Sequence, residues 1–234
     1  MTDRDRTTRQ VGTDRALFMA RVRAALGHAG SHEAPVPPVV DEELVRLAGP
    51  DDDLLELFTR RAEEVGMTVH RTTQAQWPQQ VAAQLAQAGA RSAALGFKDR
   101  DRPDALSPFL VRAGVDILDW RHEGGVDAQF EVDAGVTDVH AALAETGTLI
   151  CCSDAQHSRC LSLVPPLHVA VVRRSEVLPD MIDYWRSVEA ESGGALSSSI
   201  SFITGPSKTA DIEGELITGV HGPEKVEIYL VEDE

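Results

Sequence analysis

The side chains best suited to chemistry fall in a few short stretches of the C-terminal half. Thr204-Gly205-Pro206-Ser207-Lys208-Thr209-Ala210-Asp211-Ile212-Glu213 reads as a strand end, a Gly-Pro turn and the start of a hydroxyl- and acid-rich helix. A helix predicted over Thr209 to Ile217, with Ile212, Leu216, Ile217 and Val220 as its apolar side, would aim its free N–H groups at one point. Beside that point stand the Ser207 and Thr209 hydroxyls and the Lys208 ammonium, and about half a positive charge from the helix dipole would make it an anion site. Gly205, Ser207, Lys208, Thr209 and Asp211 are therefore candidate ligand-binding residues. Asp211 supports a second reading, in which an acid in the first turn already occupies the donors and the motif is an N-cap.

Ala144-Glu145-Thr146-Gly147-Thr148 is the other stretch. A helix predicted from Thr137 to Glu145 would stop at Gly147, and Glu145 would then sit at the negative end of the dipole. A carboxylate set against its local field suits acid–base or nucleophilic work, which makes Glu145 the first candidate for catalysis. A solvated glutamate before a glycine stop is the alternative. Thr146, Gly147 and Thr148 could hold a ligand or satisfy the turn. His221, between Gly219 and Gly222-Pro223, could take a proton as a neutral imidazole or simply hold its turn. Arg159 could clamp a carboxylate, and His168 opens a strand after Pro165-Pro166; surface and strand-end roles fit both residues as well.

Cys151, Cys152 and Cys160 make up the whole thiol complement. They lack C-x-x-C spacing, and adjacent Cys151 and Cys152 on a strand point to opposite faces, so packing thiols rather than metal ligands are expected. Neither a G-x-G-x-x-G nor a P-loop motif occurs, which leaves no dinucleotide or nucleoside triphosphate fingerprint. With 38 acidic against 22 basic side chains, the net charge of −16 repels nucleic acid and anionic membranes. The apolar runs are too short for a membrane span and the first ten residues lack a signal-peptide core, so a cytosolic protein is expected.

Positioning these residues requires a regular scaffold. Helical periodicity predicts a first helix over Asp14 to Leu26, and the Pro-containing stretch to Asp41 reads as an extended connector. Residues 1–40 thus form an N-terminal appendage, and 41–234 form the main α/β domain. In that domain helices are predicted over Leu54 to Gly66, Val81 to Ala88, Pro103 to Ala113 and Pro179 to Ala190. Strands are predicted at Met67 to His70, Ser92 to Phe97, Val115 to Asp119, Leu149 to Cys152, His168 to Val172, Ser199 to Ile203 and Val226 to Val231. Strands that are apolar nearly throughout and alternate with helices predict a three-layer α/β fold: a mostly parallel sheet with helices on both faces.

Together with Val164-Pro165-Pro166-Leu167-His168, the Glu145 and Ser207 motifs resemble the LUD-domain family, specifically its LutC/YkgG lactate-utilization branch, over residues from about 130 to 234. That family in turn is similar to the superfamily of glucosamine-6-phosphate deaminase, ribose-5-phosphate isomerase and the CoA transferases. The resemblance implies a small carboxylate, phosphate-bearing or CoA-like ligand, and Glu145 in the place of a reacting glutamate. It further implies a cytosolic subunit of an L-lactate oxidation system, with no redox cofactor in this chain and iron–sulfur clusters in partner oxidoreductase proteins. There His221 would take a proton from a hydroxyacid. Two alternatives stand beside it: a free-standing transferase or isomerase, and a non-catalytic binding or assembly module. One departure is Lys208, where arginine is the more usual residue of the motif; a lysine keeps the charge but loses the planar fork.

Overall fold

A computed structural model describes residues 14–27, 36, 41–49, 51–98, 101–122, 125–155, 157–193, 195–212 and 215–233. The chain forms two compact units, residues 1–44 and 45–234. In the first, helix α1 (Arg15–Ala25) is capped by the Asp14 carboxylate on the Ala16 N–H and buries none of its residues. A short helix α2 (Glu42–Val45) spans the boundary.

The second unit alternates helices and strands: α3 (Leu54–Glu64), β1 (Thr68–Thr72), α4 (Trp77–Gln87), β2 (Ser92–Gly96), α5 (Asp101–Arg112), β3 (Asp116–Leu118), α6 (Gly125–Ala128) and β4 (Ala134–Asp138). Then follow β5 (Ala141–Leu143), β6 (Thr148–Cys152), α7 (Cys160–Leu163), β7 (Leu167–Arg173), β8 (Val177–Leu178), α8 (Met181–Ser192), β9 (Ile200–Ile203), β10 (Lys208–Ile212), β11 (Glu215–Thr218) and β12 (Lys225–Val231). Six strands pair in parallel in the order β1-β12-β7-β4-β2-β3, with β7 and β12 in register over seven residues at the centre. Both central strands are mostly apolar because both of their faces are covered.

On one face Val169, Val171, Val136 and Tyr229 pack with Trp77, Val81 and Leu85 of α4 and Leu106 and Leu110 of α5. On the other, Ala170, Val172, Ile228 and Leu230 pack with Leu55, Phe58 and Ala62 of α3 and with Ala142, Leu149 and Ile203. Those last residues belong to a second sheet of order β8-β5-β6-β9, whose outer face is covered by Tyr184 and Val188 of α8. The three-layer α/β expectation holds, and the second sheet adds a layer between the main sheet and α8.

Two predicted helices are instead strands. The stretch from Thr137 to Glu145 supplies the end of β4 and all of β5. Its alanines suggest a helix, yet Val136, Thr137 and Val139 are β-branched, and Ala141, Ala142 and Ala144 fit because small side chains are needed between two sheets. Likewise, Thr209 to Ile217 forms the hairpin β10–β11. Thr209, Ile212, Ile217 and Thr218 favour strands, and a short apolar pattern does not separate the two periods. No helix among the described residues is long and apolar enough to cross a membrane.

Candidate functional site

The order of the main sheet reverses between β4 and β2. From β2 the chain turns into α5 on one face, and from β4 it turns into the second sheet on the other. Two carboxyl ends that part in this way leave a crevice, which is where open α/β sheets collect ligands. Lys98, Asp138, Val139, His140, Cys152, Asp154 and His157 line it.

Each side chain is held locally. The Lys98 backbone N–H donates to Asp138 Oδ2 at 2.8 Å, fixing the two strand ends together. The Asp154 carboxylate accepts the His157 N–H at 2.9 Å and Asp154 donates its own N–H to the His157 carbonyl, closing the loop before α7. That helix rests directly on the sheet, since a Cβ on Gly135 would overlap the Leu161 carbonyl. His157 lies buried beneath the crevice with Nδ1 3.8 Å from Asp138 Oδ1, and its Nε2 is buried without a hydrogen-bond partner. Burial lowers its pKa against the pull of Asp138 and Asp154, so the imidazole is neutral near pH 7. Burial, then the nearby Lys98, also lowers that of His140.

Beneath these groups, Arg102 of α5 is buried, donating to the Val171 carbonyl at 3.2 Å and lying 3.7 Å from Asp138 and 3.8 Å from Glu176. Burial pushes the Glu176 carboxyl up to about 7, and Arg102 opposes it only in part. His168 Nε2 meets the Thr137 hydroxyl at 2.9 Å, and full burial drives its pKa down to about 3. Burial likewise pushes the Cys151 thiol up to about 12, as expected of a packing residue. The crevice thus presents the Lys98 ammonium, the Asp154 carboxylate and the His140 imidazole above the buried Asp138 and His157, a set able to bind a small anion and exchange a proton with it. Among the described residues no group of three or more His, Cys, Asp or Glu is placed to hold a metal ion.

The residues singled out from sequence lie elsewhere. Glu145 sits in the β5–β6 turn rather than at a helix end, and its carboxylate accepts the backbone N–H groups of Leu47 and Ala48. The hydroxyls of Thr146, Thr148 and Thr204 form a string, at 2.6 and 2.8 Å. With Leu143, Glu145, Asp180, Met181 and Phe202 they line a separate cleft. Gly147 and Gly205 both have positive φ, and a Cβ on either would overlap the backbone of α3 or the residue that follows it, at Ala62 and Val65. Lys208 Nζ donates to the Val65 carbonyl at 2.8 Å, capping α3 rather than facing an anion.

The anion site built on a helix start at Ser207–Asp211 loses its basis, because β10 begins at Lys208. Ser207 pairs through its backbone with Pro223 and Gly219, and Thr209 pairs with Ile217. The Asp211 side chain lies outside the described residues. His221 and Arg159 are exposed, and neither lines the crevice or the Glu145 cleft. Sequence reasoning missed Lys98, Asp138, His140, Asp154 and His157. Reading Asp138-Val139-His140 as the end of a buried strand would have flagged them.

The LUD domain family model matches residues 55–231, which is most of the unit that carries the crevice. The chain belongs to the LUD domain family. Its relatives include "Lactate utilization protein C" of Halalkalibacterium halodurans, 32% identical over 187 residues that cover 78% of this chain and 80% of the relative. The protein of the same name from Anoxybacillus flavithermus is 27% identical over 219 residues, covering 92% and 98%. Among solved structures, a DUF162 family protein from Deinococcus radiodurans superposes with a TM-score of 0.57 at 22% identity, covering 83% of this chain and 99% of that one. That likeness extends the LUD fold to a distant sequence.

Proposed function

We propose that this LUD domain serves lactate utilization by holding a small 2-hydroxy- or 2-oxo-carboxylate in the crevice between β2 and β4. The reading rests on one observation: Lys98, His140 and His157 converge with Asp138 and Asp154 where the sheet order reverses. The names of the relatives supply the metabolic setting. The Lys98 ammonium pairs with the ligand carboxylate at the rim. A neutral imidazole, kept so by burial, accepts the hydrogen bond of the 2-hydroxyl, and Asp138 orients His157 from the strand end. Electrons are left to iron–sulfur partner proteins in the cytosol, with this chain as the subunit that presents the ligand.

Calorimetric titration with L-lactate and pyruvate tests the binding step. Saturable binding lost in Lys98→Ala supports it, and no heat with either acid sinks it. Anaerobic co-purification with iron–sulfur proteins, assayed for lactate-dependent reduction of an acceptor, tests the assembly.

A second reading places the ligand in the Glu145 cleft, favoured by the three threonine hydroxyls along one wall. Binding that survives Lys98→Ala and disappears in Thr148→Val would select it.

A further inference from the structure

Arg102 of α5 is buried between two carboxylates that the fold brings to it from separate strands. Its Nη1 lies 3.7 Å from Asp138 Oδ2, at the end of β4, and its Nη2 lies 3.8 Å from Glu176 Oε1, in the turn between β7 and β8. A 3.2 Å hydrogen bond from Nη1 to the Val171 carbonyl of β7 holds the guanidinium there. Each acid has an anchor of its own: Asp138 Oδ2 accepts the Lys98 N–H at 2.8 Å, and Glu176 Oε2 accepts the Arg173 N–H at 2.8 Å. Two contacts through one cation thus join Glu176 to the acid that stands under the crevice.

One buried guanidinium balances one carboxylate, so a second ionised acid on the same cation stands largely uncompensated. The charged groups that face Glu176 are Arg102 from α5, Asp138 from β4 and Arg173 from β7. Burial pushes its carboxyl up to about 7; Arg102 and Arg173 oppose that rise and Asp138 reinforces it. Burial lowers His140 and His157 from 6.5, so neither imidazole gains a charge above that pH.

We infer that Glu176 regulates the crevice by its proton: while Glu176 is neutral, Arg102 is left to Asp138 and the crevice accepts a small carboxylate, and once Glu176 ionises it draws on the same guanidinium and the ligand meets a more negative floor. The inference rests on the crevice as the site of the carboxylate. By linkage, binding a carboxylate there draws a proton onto Glu176.

Calorimetric titration of the full chain with L-lactate, from about pH 6 to about pH 8.5, tests the coupling. A carboxylate ligand stays ionised throughout that range. Affinity should fall about fivefold across it, the scale of one screened unit charge two side chains away. Near pH 7, repeating the titration in buffers of different ionisation heat should show an uptake of roughly a third of a proton per lactate bound. Glu176→Gln should hold the affinity at its low-pH value and abolish the uptake, and Glu176→Ala, which also removes the charge, should do the same. If lactate binds wild type equally well at every pH and without proton uptake, the coupling is overturned and the crevice reading stands. A pH dependence that persists in both variants also overturns it, because the titrating group then lies elsewhere. If lactate binds at no pH, the crevice reading fails and this inference fails with it.

Discussion

The crevice between β2 and β4 and the corner around α3 make an instructive pair. At the corner, Glu145, Thr148, Thr204 and Lys208 are committed to internal bonds, and Gly147 and Gly205 press against backbone. In the crevice, Lys98 is exposed and His157 keeps a buried nitrogen without a partner. The corner is the more conspicuous region in sequence, since glycines, prolines and hydroxyls at close spacing stand out. Such residues mark tight backbone geometry at least as often as they mark chemistry. The groups that line the crevice are spread along the chain and carry no such signature.

The largest test of this contrast is Gly147→Ala. The new methyl group would meet the α3 backbone at a residue that also needs positive φ, so a loss of about 4 kcal/mol is expected. Urea denaturation measures it, and a loss under about 1 kcal/mol would mean that the corner yields and is not a docking point.

Next comes the charge beneath the crevice. Glu176, raised from 4.5 to about 7, keeps its proton in the fold where the unfolded chain has already released it. Its contribution is full below about pH 4.5 and is lost as the pH rises through 7. Relative to Glu176→Gln, the wild type should therefore lose about 3 kcal/mol of stability between those limits. His168 acts in the opposite sense: lowered from 6.5 to about 3, it costs nothing above pH 6.5 and weakens the fold as the pH falls toward 3. Denaturation of both proteins at several pH values gives the difference curve; a flat curve would remove Glu176 from the buried charge set.

His157→Gln should leave the melting temperature within a few degrees and weaken L-lactate binding by about tenfold, the loss of one hydrogen bond at a buried ring. Unchanged affinity would move the ligand away from His157. The smallest effect belongs to Lys208→Ala, which removes the cap on Val65 at a cost of about 1 kcal/mol. Anion binding should survive that change. Its disappearance would return the Ser207–Asp211 segment to a ligand role and reverse the contrast.

Much of the scaffold was legible in sequence because its signals are local. The apolar stretches Val169–Val172 of β7 and Ile228–Val231 of β12, the Asp53 cap of α3 and the Asp180 cap with Gly193 stop of α8 need only near neighbours to be read. The stretch from Thr137 to Glu145 failed for a physical reason. Alanines suit a helix and also suit a strand squeezed between two sheets, and only the second sheet, made of strands up to 60 residues apart, decides between them. Thr209 to Ile217 failed because its short apolar spacing fits both periods.

Family membership, the alternation of strands with helices, the acidic net charge and the lack of G-x-G-x-x-G and P-loop motifs were all determined by sequence alone, since each is a property of composition or of short motifs. Which side chains meet was decided by the tertiary structure. Lys98 and Asp138 stand 40 residues apart, and they meet because β2 and β4 are neighbours whose continuing chains leave toward opposite faces. Strand order is set by the global burial of apolar faces, to which the residues of the crevice contribute almost nothing, so no local pattern at those residues records it.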